Sequence, residues 1–420
     1  MDERLAISRL HRRIGLGAPS GGLSAATQRG LNVELQRLLD PAAAGLVAPA
    51  DPFEGLDLSY DPGNGGTKRN AAAAIDAWLR RLTTTDYVVA DRMAWFWHGH
   101  LVSALGKVKA PNAMAEQIRL FWRHGTGDLP TLLRAVSTDP AMLVYLDGKD
   151  STGRTPNENF SRELMELFTL GVGHYTEADI QAGARALTGW TVNLRDGGAA
   201  EFRPGRHDAS PQTYLGATGV RDLDGVLAAI LARPECAAFI AGTLARDTIG
   251  PNVGPAIVQQ LADRFRASGY SIAALIRSVA EQLASGVDGG PIVLAPVPWL
   301  VAAQRATGAK LAAQARMAML RASGQVPLSP PNVGGWPEGR AWYGSATVVA
   351  RLNLAAAVAA ATAANHPTRV GAAAGDWAGL ADALGLASGF GPTTVKGLGQ
   401  MPGGIERLTL ALVSPEFVEA

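Results

Sequence analysis

The 420-residue sequence predicts an all-α protein with one small β-hairpin insertion. Three observations support this fold class. Apolar residues recur at helical spacing along most of the chain, helix-capping motifs separate these segments, and β-capable runs cluster only between residues 190 and 222. Hydrophobic residues make up 47% of the chain, enough for a large core. We expect one domain over residues 1–420, or two helical lobes, 1–190 and 222–420, joined by the insertion.

The first half of the chain is read as a series of amphipathic helices. Residues 22–40 predict a first helix, and a longer amphipathic pattern runs from about residue 71 to residue 97. Segment 137–148 predicts a compact helix that is capped by Asp139 and begins at Pro140, because aspartate favours the N-cap and proline the first helical position.

The insertion and the second half are predicted from turn signals. The pair Asp196-Gly197 lies between short β-capable runs and predicts a small hairpin, with the insertion extending over about 190–216. Helical spacing then resumes, whereas the Gly-rich region 366–403 shows only a loose pattern. The predicted helices are 222–247, 255–285, 293–323, an Ala-rich helix from about Thr347, and a short helix opened by Ser414 and Pro415.

Composition excludes several classes of function. Lys and Arg (38) nearly balance Asp and Glu (37), without a run of like charge, so we expect no nucleic-acid or acidic-lipid partner. The single cysteine, Cys236, excludes an internal disulfide and a Cys-rich zinc site, and we expect it to be buried. No segment predicts a signal peptide or a membrane span, so the chain as written is expected to be cytoplasmic.

The segment RTPNENFSRELMELFTLGVG, residues 154–173, predicts a helix over 156–170. Thr155 and Glu158 match a capping box around Pro156, and Gly171 follows the predicted end. One face of this helix is apolar, and the opposite third is polar. The apolar face contains Phe160, Leu164, Leu167 and Phe168, and the polar third contains Asn159, Arg162, Glu163 and Glu166.

Two interpretations of this polar flank remain open. It could be a solvated face, stabilised by charge pairs four residues apart that contribute about 0.2–0.5 kcal/mol each. It could instead line a pocket, with Glu163 and Glu166 as catalytic carboxylates or cation ligands. Arg162 would then keep one of them ionised, and Asn159 would bind the substrate.

Two pairs of residues are candidate ligands of a divalent metal. His98 and His100 flank Gly99, and on a regular helix they would point about 200° apart, so they could share an ion only if the helix ended at Gly99. His207 and Asp208 follow one another in an irregular loop, where a functional role is more common than in a helix. Structural roles, as buried or turn-capping residues, explain all four equally well.

Trp336 and Trp342 stand on a Pro- and Gly-rich loop, where tryptophans can form a platform for a sugar or another ring, or simply pack against the protein. Several known chemistries are excluded by their missing motifs. The sequence contains no HExxH zinc motif, no Glu-x-x-His pair, no GxSxG elbow and no P-loop.

The motifs as a set resemble the bacterial family known as domain of unknown function eighteen hundred, in the order and over nearly the whole length of the chain. The matching segments are RLHRRIGLGAP, DRMAWFWHGHLVS, DPAMLVYLDG, PNENFSRELMELFTLGVGHYTEADIQAGARALTGWTV, HDASPQTYLG, PPNVGGWPEGRAWYGSATVVARLN and SPEF. On the family pattern, the signature includes Glu158, Arg162, Glu163, Glu166, His98, His100, His207, Asp208, Trp336 and Arg351. Gln212 stands where the family usually has a lysine, so a role for that cation is in doubt here.

The resemblance implies where the protein acts and what its partner is like, but it implies no catalytic mechanism. Family members usually look secreted and often sit beside genes for proteins that resemble alkaline-phosphatase-like hydrolases, which implies work on envelope material and a partner of that type. Our first hypothesis is therefore a hydrolase of a polar, glycan-like polymer. The alternatives are a non-catalytic helical module that binds a partner hydrolase or surface polymer, and a metal-dependent oxidoreductase.

Overall fold

A computed structural model describes residues 2–19, 21–59, 66–194 and 198–420. The described chain is mostly helical, as predicted. The helices before the insertion are α1 (Glu3–Arg9), α2 (Gly22–Arg29), α3 (Leu31–Leu39), α4 (Gly66–Thr84), α5 (Val88–His100), α6 (Leu105–Val108), α7 (Pro111–His124), α8 (Leu129–Ser137), α9 (Pro140–Tyr145), α10 (Glu158–Glu163) and α11 (Glu177–Ala186). Two π-helical segments, Leu10–Ile14 and Leu164–Thr169, extend α1 and α10.

The helices after the insertion are α12 (Leu223–Ala232), α13 (Pro234–Thr248), α14 (Pro255–Ala267), α15 (Ile272–Ser285), α16 (Pro296–Thr307), α17 (Ala313–Ser323), α18 (Ser345–Ala361), α19 (Pro367–Ala374), α20 (Trp377–Ala383), α21 (Pro392–Gln400), α22 (Gly404–Val413) and α23 (Pro415–Val418). Short 3-10 turns occur at Gly148–Asp150, Pro204–Arg206 and Gly339–Tyr343. The region 366–403 is thus helical, contrary to its loose pattern. Its helices are short and Gly-rich, so few apolar positions mark them.

The insertion consists of two antiparallel hairpins instead of one. Strand β1 (Trp190–Val192) pairs with β2 (Ala200–Phe202), and β3 (Gln212–Tyr214) pairs with β4 (Ala217–Val220). Across the first hairpin, Trp190 lies opposite Phe202. The predicted turn pair Asp196-Gly197 lies outside the described residues. The all-α fold with a small β insertion is therefore confirmed.

Local capping explains where several helices begin. Asp139 accepts a hydrogen bond from the backbone N–H of Met142, and Pro140 opens α9, as predicted. A capping box joins Thr176 and Asp179 at the start of α11. The predicted box at Thr155 is wrong. The hydroxyl of Thr155 pairs with Thr152 in a preceding turn, so Asn157 caps α10 instead.

One extended cluster of buried apolar side chains runs through the described chain, from Leu10 to Val418. Its largest members include Trp78, Trp97 and Trp299, each less than 2% exposed. Full burial of a large apolar side chain contributes about 1.5–3 kcal/mol, so this cluster holds the helices together. Cys236 belongs to the same core, and burial raises the pKa of its thiol to about 12, as expected for a structural cysteine.

Within the described residues, no single helix has the length and apolar composition needed to cross a membrane. Only α12 and α13 taken together reach that length and composition, and they are bent by 78° relative to each other.

Candidate functional site

A cleft of about 470 Å³ opens between α5, α13 and the loop that precedes α18. Its floor comes from the first π-helical segment, the residues before α16, and the C-terminal residues. The wall residues used below are Arg92, Trp95, Phe96, Gly99, His100, Thr243, Arg246, Asp247, Trp336, Glu338 and Trp342, and the floor includes Arg12, Arg13 and Phe417. The walls thus combine aromatic rings, arginines and carboxylates in one concave surface, which is typical of a ligand site.

One face of α5 forms the first wall. Arg92, Trp95, Phe96, Gly99 and His100 recur at helical spacing, so all five lie on the same side of the helix. Apolar residues of the opposite side belong to the core. The face that lines the cleft therefore carries Arg92 and His100, whereas the other charged residue of this helix, Asp91, is buried against Arg81.

Three residues of α13 face the same space. Thr243, Arg246 and Asp247 are three and four residues apart and again share one helix side. Asp247 accepts a hydrogen bond from Arg92 across the cleft at 2.5 Å. The Arg92 side chain is mostly buried, so this ion pair joins α5 to α13.

The loop between α17 and α18 closes the third wall. Trp336 stacks on Trp95 of α5, with ring centroids 5.3 Å apart and planes 13° from parallel. Gly335 makes this approach possible, since its φ is +86° and an added Cβ would lie 2.4 Å from the backbone oxygen of Gly99. Both tryptophans predicted to form a platform, Trp336 and Trp342, line the cleft.

Glu338 brings a second carboxyl group to the cleft. Its side chain reaches the open space, but desolvation between the walls raises its pKa, the charge of Asp247 raises it further, and Arg246 opposes the rise. The two carboxyl groups are therefore in different electrostatic states. Asp247 is paired with an arginine, whereas Glu338 retains its proton to a higher pH than an ordinary glutamate.

His100 presents a neutral ring to the cleft. Its Nε2 lies 3.0 Å from the carbonyl oxygen of Phe168, and because a carbonyl only accepts, Nε2 carries the proton. Burial lowers the His100 pKa to about 4, and the charge of Arg246 lowers it as well. The remaining ring nitrogen, Nδ1, is left as a hydrogen-bond acceptor without a partner among the described residues.

Two arginines of the first π-helical segment hold the floor in place. Arg12 donates to the carbonyl oxygens of Glu416, Phe417 and Glu419, at 2.8–3.0 Å. Arg13 donates to Asp288 and to the carbonyl oxygen of Ala420, at 3.1–3.3 Å. These contacts secure the C-terminal segment against the cleft. π-Helical segments often occur at functional sites, and here the other one, Leu164–Thr169, also reaches the cleft through Leu167.

The predicted catalytic flank lies on that second segment and on α10, but its polar residues are not part of the cleft lining. Arg162 pairs with Glu177 at 2.7 Å, and the hydroxyl of Tyr175 donates to Glu166. Glu163 is half-buried, and desolvation and then the charge of Glu166 raise its pKa. Asn159 is exposed. The catalytic and substrate-binding roles of these residues stay predictions.

The structure does not bring the four predicted metal ligands together. Gly99 does not end α5, so His98 and His100 point to opposite sides of a continuous helix. His98 is buried among Trp78 and Trp336, and its Nε2 accepts a hydrogen bond from the backbone N–H of Leu328. Burial lowers its pKa to about 3, so it is neutral.

The loop pair has structural partners. His207 Nδ1 donates to the carbonyl oxygen of Thr188 at 2.9 Å, and Asp208 accepts from the hydroxyl and backbone N–H of Ser210. In the part of the chain that the structure describes, no three His, Cys, Asp or Glu side chains form a group that could hold a metal ion. A metal site built from these residues therefore stays a prediction that their contacts do not support.

Sequence reasoning missed Arg92, Arg246, Asp247 and Glu338. Glu338 follows Trp336 by two residues in the loop already singled out, so a closer reading of that loop could have found it. Asp247 and Arg92 lie on helices that read as core, 155 positions apart. No local sequence pattern connects two residues so far apart. The ion pair is seen only in the structure, where α5 and α13 line the same cleft.

Comparison with known proteins identifies one family. The model of the family described as "Protein of unknown function (DUF1800)" matches residues 9–418. No curated protein and no solved structure matches the chain.

Proposed function

The chain belongs to this family of unknown function, as its motifs predicted, and from the cleft we propose that it is a hydrolase of a ring-containing polar polymer such as a glycan. The observation that carries the proposal is the pair of unlike carboxyl groups, Asp247 and Glu338, on facing walls beside stacked tryptophans. Hydrolysis of a glycosidic bond requires one protonated and one ionised carboxyl group at the same pH.

The two groups have complementary roles in this reaction. Glu338, whose pKa is raised, donates its proton to the oxygen of the leaving sugar as the C–O bond breaks. Asp247, which is paired with Arg92, accepts a proton from the water that forms the new bond to the sugar carbon. Return of that proton to Glu338 through solvent restores both groups.

The remaining walls bind and orient the substrate. The Trp95 and Trp336 rings offer an apolar face on which a sugar ring can lie. The Nδ1 atom of neutral His100 accepts a hydrogen bond from a substrate hydroxyl, because Nε2 is already committed to Phe168. These residues are uncharged, so they position the substrate without disturbing the balance between the two carboxyl groups.

The test is release of reducing ends from a panel of bacterial envelope glycans. We expect Glu338→Gln and Asp247→Asn each to lower turnover by about 10²–10⁴-fold, the usual effect of removing an acid or base. Glu163→Gln and Glu166→Gln serve as the comparison, because they test the carboxylates proposed from sequence. Loss of turnover only in the second pair would assign the chemistry to α10 and its π-helical extension instead.

A non-catalytic binding module remains the second candidate, and the cleft itself favours it as well, since the tryptophans would bind a polymer without cleaving it. Isothermal titration separates the two. If wild type and Glu338→Gln bind the same glycan with equal affinity and wild type releases no product, the module is a binder.

A further inference from the structure

One arginine of the cleft, Arg246, has neither an ion pair nor a backbone hydrogen-bond partner among the described residues. Three of its four arginines are committed elsewhere: Arg12 to backbone carbonyls, Arg13 to Asp288 and Arg92 to Asp247. The fourth, Arg246, lies in the cleft wall and has no ion pair among the described residues. Its only hydrogen-bond contact there is with the hydroxyl of Thr243, at 3.1 Å.

The position of this guanidinium is set by its own helix. Arg246 folds back over Gly242, where an added Cβ would lie 3.2 Å from Nη1. The bond to Thr243 fixes the other end of the guanidinium. A small residue and a hydroxyl one turn earlier thus hold the group in place before a ligand arrives, which reduces the entropy lost on binding.

The charge balance of the cleft favours an anion at this point. Arg92 and Asp247 neutralise each other, and Glu338 is neutral when it carries its proton. Arg12 carries its charge on the backbone carbonyls of the floor, and Arg246, which is exposed at the cleft wall, adds a second positive charge without an ion pair. A planar guanidinium also presents two parallel donors, the geometry that a carboxylate or sulfate accepts.

We propose that the substrate of this cleft carries an anionic substituent, as in a uronic-acid or sulfated saccharide, and that Arg246 binds that group. This proposal rests on the proposed hydrolase function and narrows its substrate class. The anion would lie beside Glu338 and His100, since the charge of Arg246 acts on both. Arg246 therefore selects the sugar next to the glycosidic oxygen that Glu338 protonates.

Binding measurements with matched sugars test the proposal. The protein used is the full chain with Glu338→Gln, which binds without turnover. The probes are hexameric oligogalacturonate, oligomannuronate, a sulfated galactan hexamer, and the carboxyl-reduced or desulfated forms of the same three. We expect at least one anionic probe to bind about 10- to 100-fold more tightly than its neutral form, and to bind more weakly at high salt.

Three added substitutions locate the effect. Arg246→Gln should abolish the preference for the anion, Arg246→Lys should keep part of it, and Arg321→Gln, an exposed arginine of α17 outside the cleft, should leave it unchanged. Preference for a uronate would identify a carboxylate as the ligand, and preference for the galactan would identify a sulfate. Equal binding of charged and neutral forms, or a preference that survives Arg246→Gln, overturns this inference and leaves the hydrolase proposal standing. Binding of none of the six probes, together with no reducing-end release from the glycan panel, overturns both.

Discussion

Replacement of Asp139 by asparagine should make the protein more stable at neutral pH. Asp139 is 3% exposed, and its Oδ2 accepts hydrogen bonds from the backbone N–H of Met142 and the side-chain amide of Gln117. Burial raises its pKa from 3.8 to about 7, so the folded protein keeps the proton that the unfolded chain loses. Asparagine can place its amide oxygen where Oδ2 accepts both bonds, and it is an equally good helix cap.

The size and sign of the effect follow from proton linkage. Below pH 4 both states are protonated, and the aspartate costs nothing. Between about pH 4 and 7 only the unfolded state ionises, so the free energy of unfolding falls as the pH rises. Each pKa unit is about 1.4 kcal/mol, so the total loss approaches about 4 kcal/mol, all of it absent in Asp139→Asn.

Urea unfolding from pH 4.5 to 8 measures this effect as the difference between variant and wild type, in which all other titrating groups cancel. Asp128→Asn is the matched control, because Asp128 also caps a helix with proline in its first turn but is only half-buried. The difference should grow with pH for Asp139→Asn, and Asp128→Asn gives the baseline for the same exchange at a half-buried helix cap. A pH-independent difference at Asp139 would refute the argument that burial controls this carboxyl group.

Three further predictions concern the cleft and the N-terminal helices. Gly335→Ala should displace the loop, at a cost of about 1–3 kcal/mol, and weaken glycan binding in titration calorimetry; Gly339→Ala, also at positive φ but with no atom within 4 Å, should bind normally. Trp336→Ala should weaken glycan binding by removing the stacked platform, while Trp336→Phe should retain most of it. Glu34→Ala should lower the free energy of unfolding by about 1–3 kcal/mol at pH 7, because it leaves the buried His11 ring and Arg29 without their hydrogen-bond partner. The hydrogen bonds from His11 and Arg29 lower the pKa of Glu34 despite its desolvation, so this contribution should be lost as the pH falls below about 4, with Glu281→Ala as the surface control in urea unfolding.

The fold was predictable where its causes are local. Asp139 caps its helix as predicted, since a capping side chain bonds to backbone only two or three residues away. The error at Thr155 has a local cause as well, because a turn with Thr152 competes for the same hydroxyl.

The site was predictable only where a residue type suggests a ligand on its own. Trp336 and Trp342 were singled out because a tryptophan on a Pro/Gly loop is unusual, and both line the cleft. Asp247 carries no such signal. It lies on a helix of small and apolar residues, and its significance comes from Arg92 and Glu338, which are distant in sequence.

The loop position links these contributions into one mechanism. A glutamate keeps its proton only while its surroundings disfavour the charged form, and at Glu338 those surroundings are the cleft walls and the charge of Asp247. Both weaken if the loop moves away from α5, and the loop is held there by the close approach of Gly335 to Gly99 and by the stacking of Trp336 on Trp95. Under the proposed function, Gly335 therefore controls the protonation of the catalytic acid, although it takes no part in the reaction itself. A ligand ring that lies against Trp336 would exclude water from the cleft beside Glu338, so substrate binding itself would raise the pKa of the group that must donate the proton.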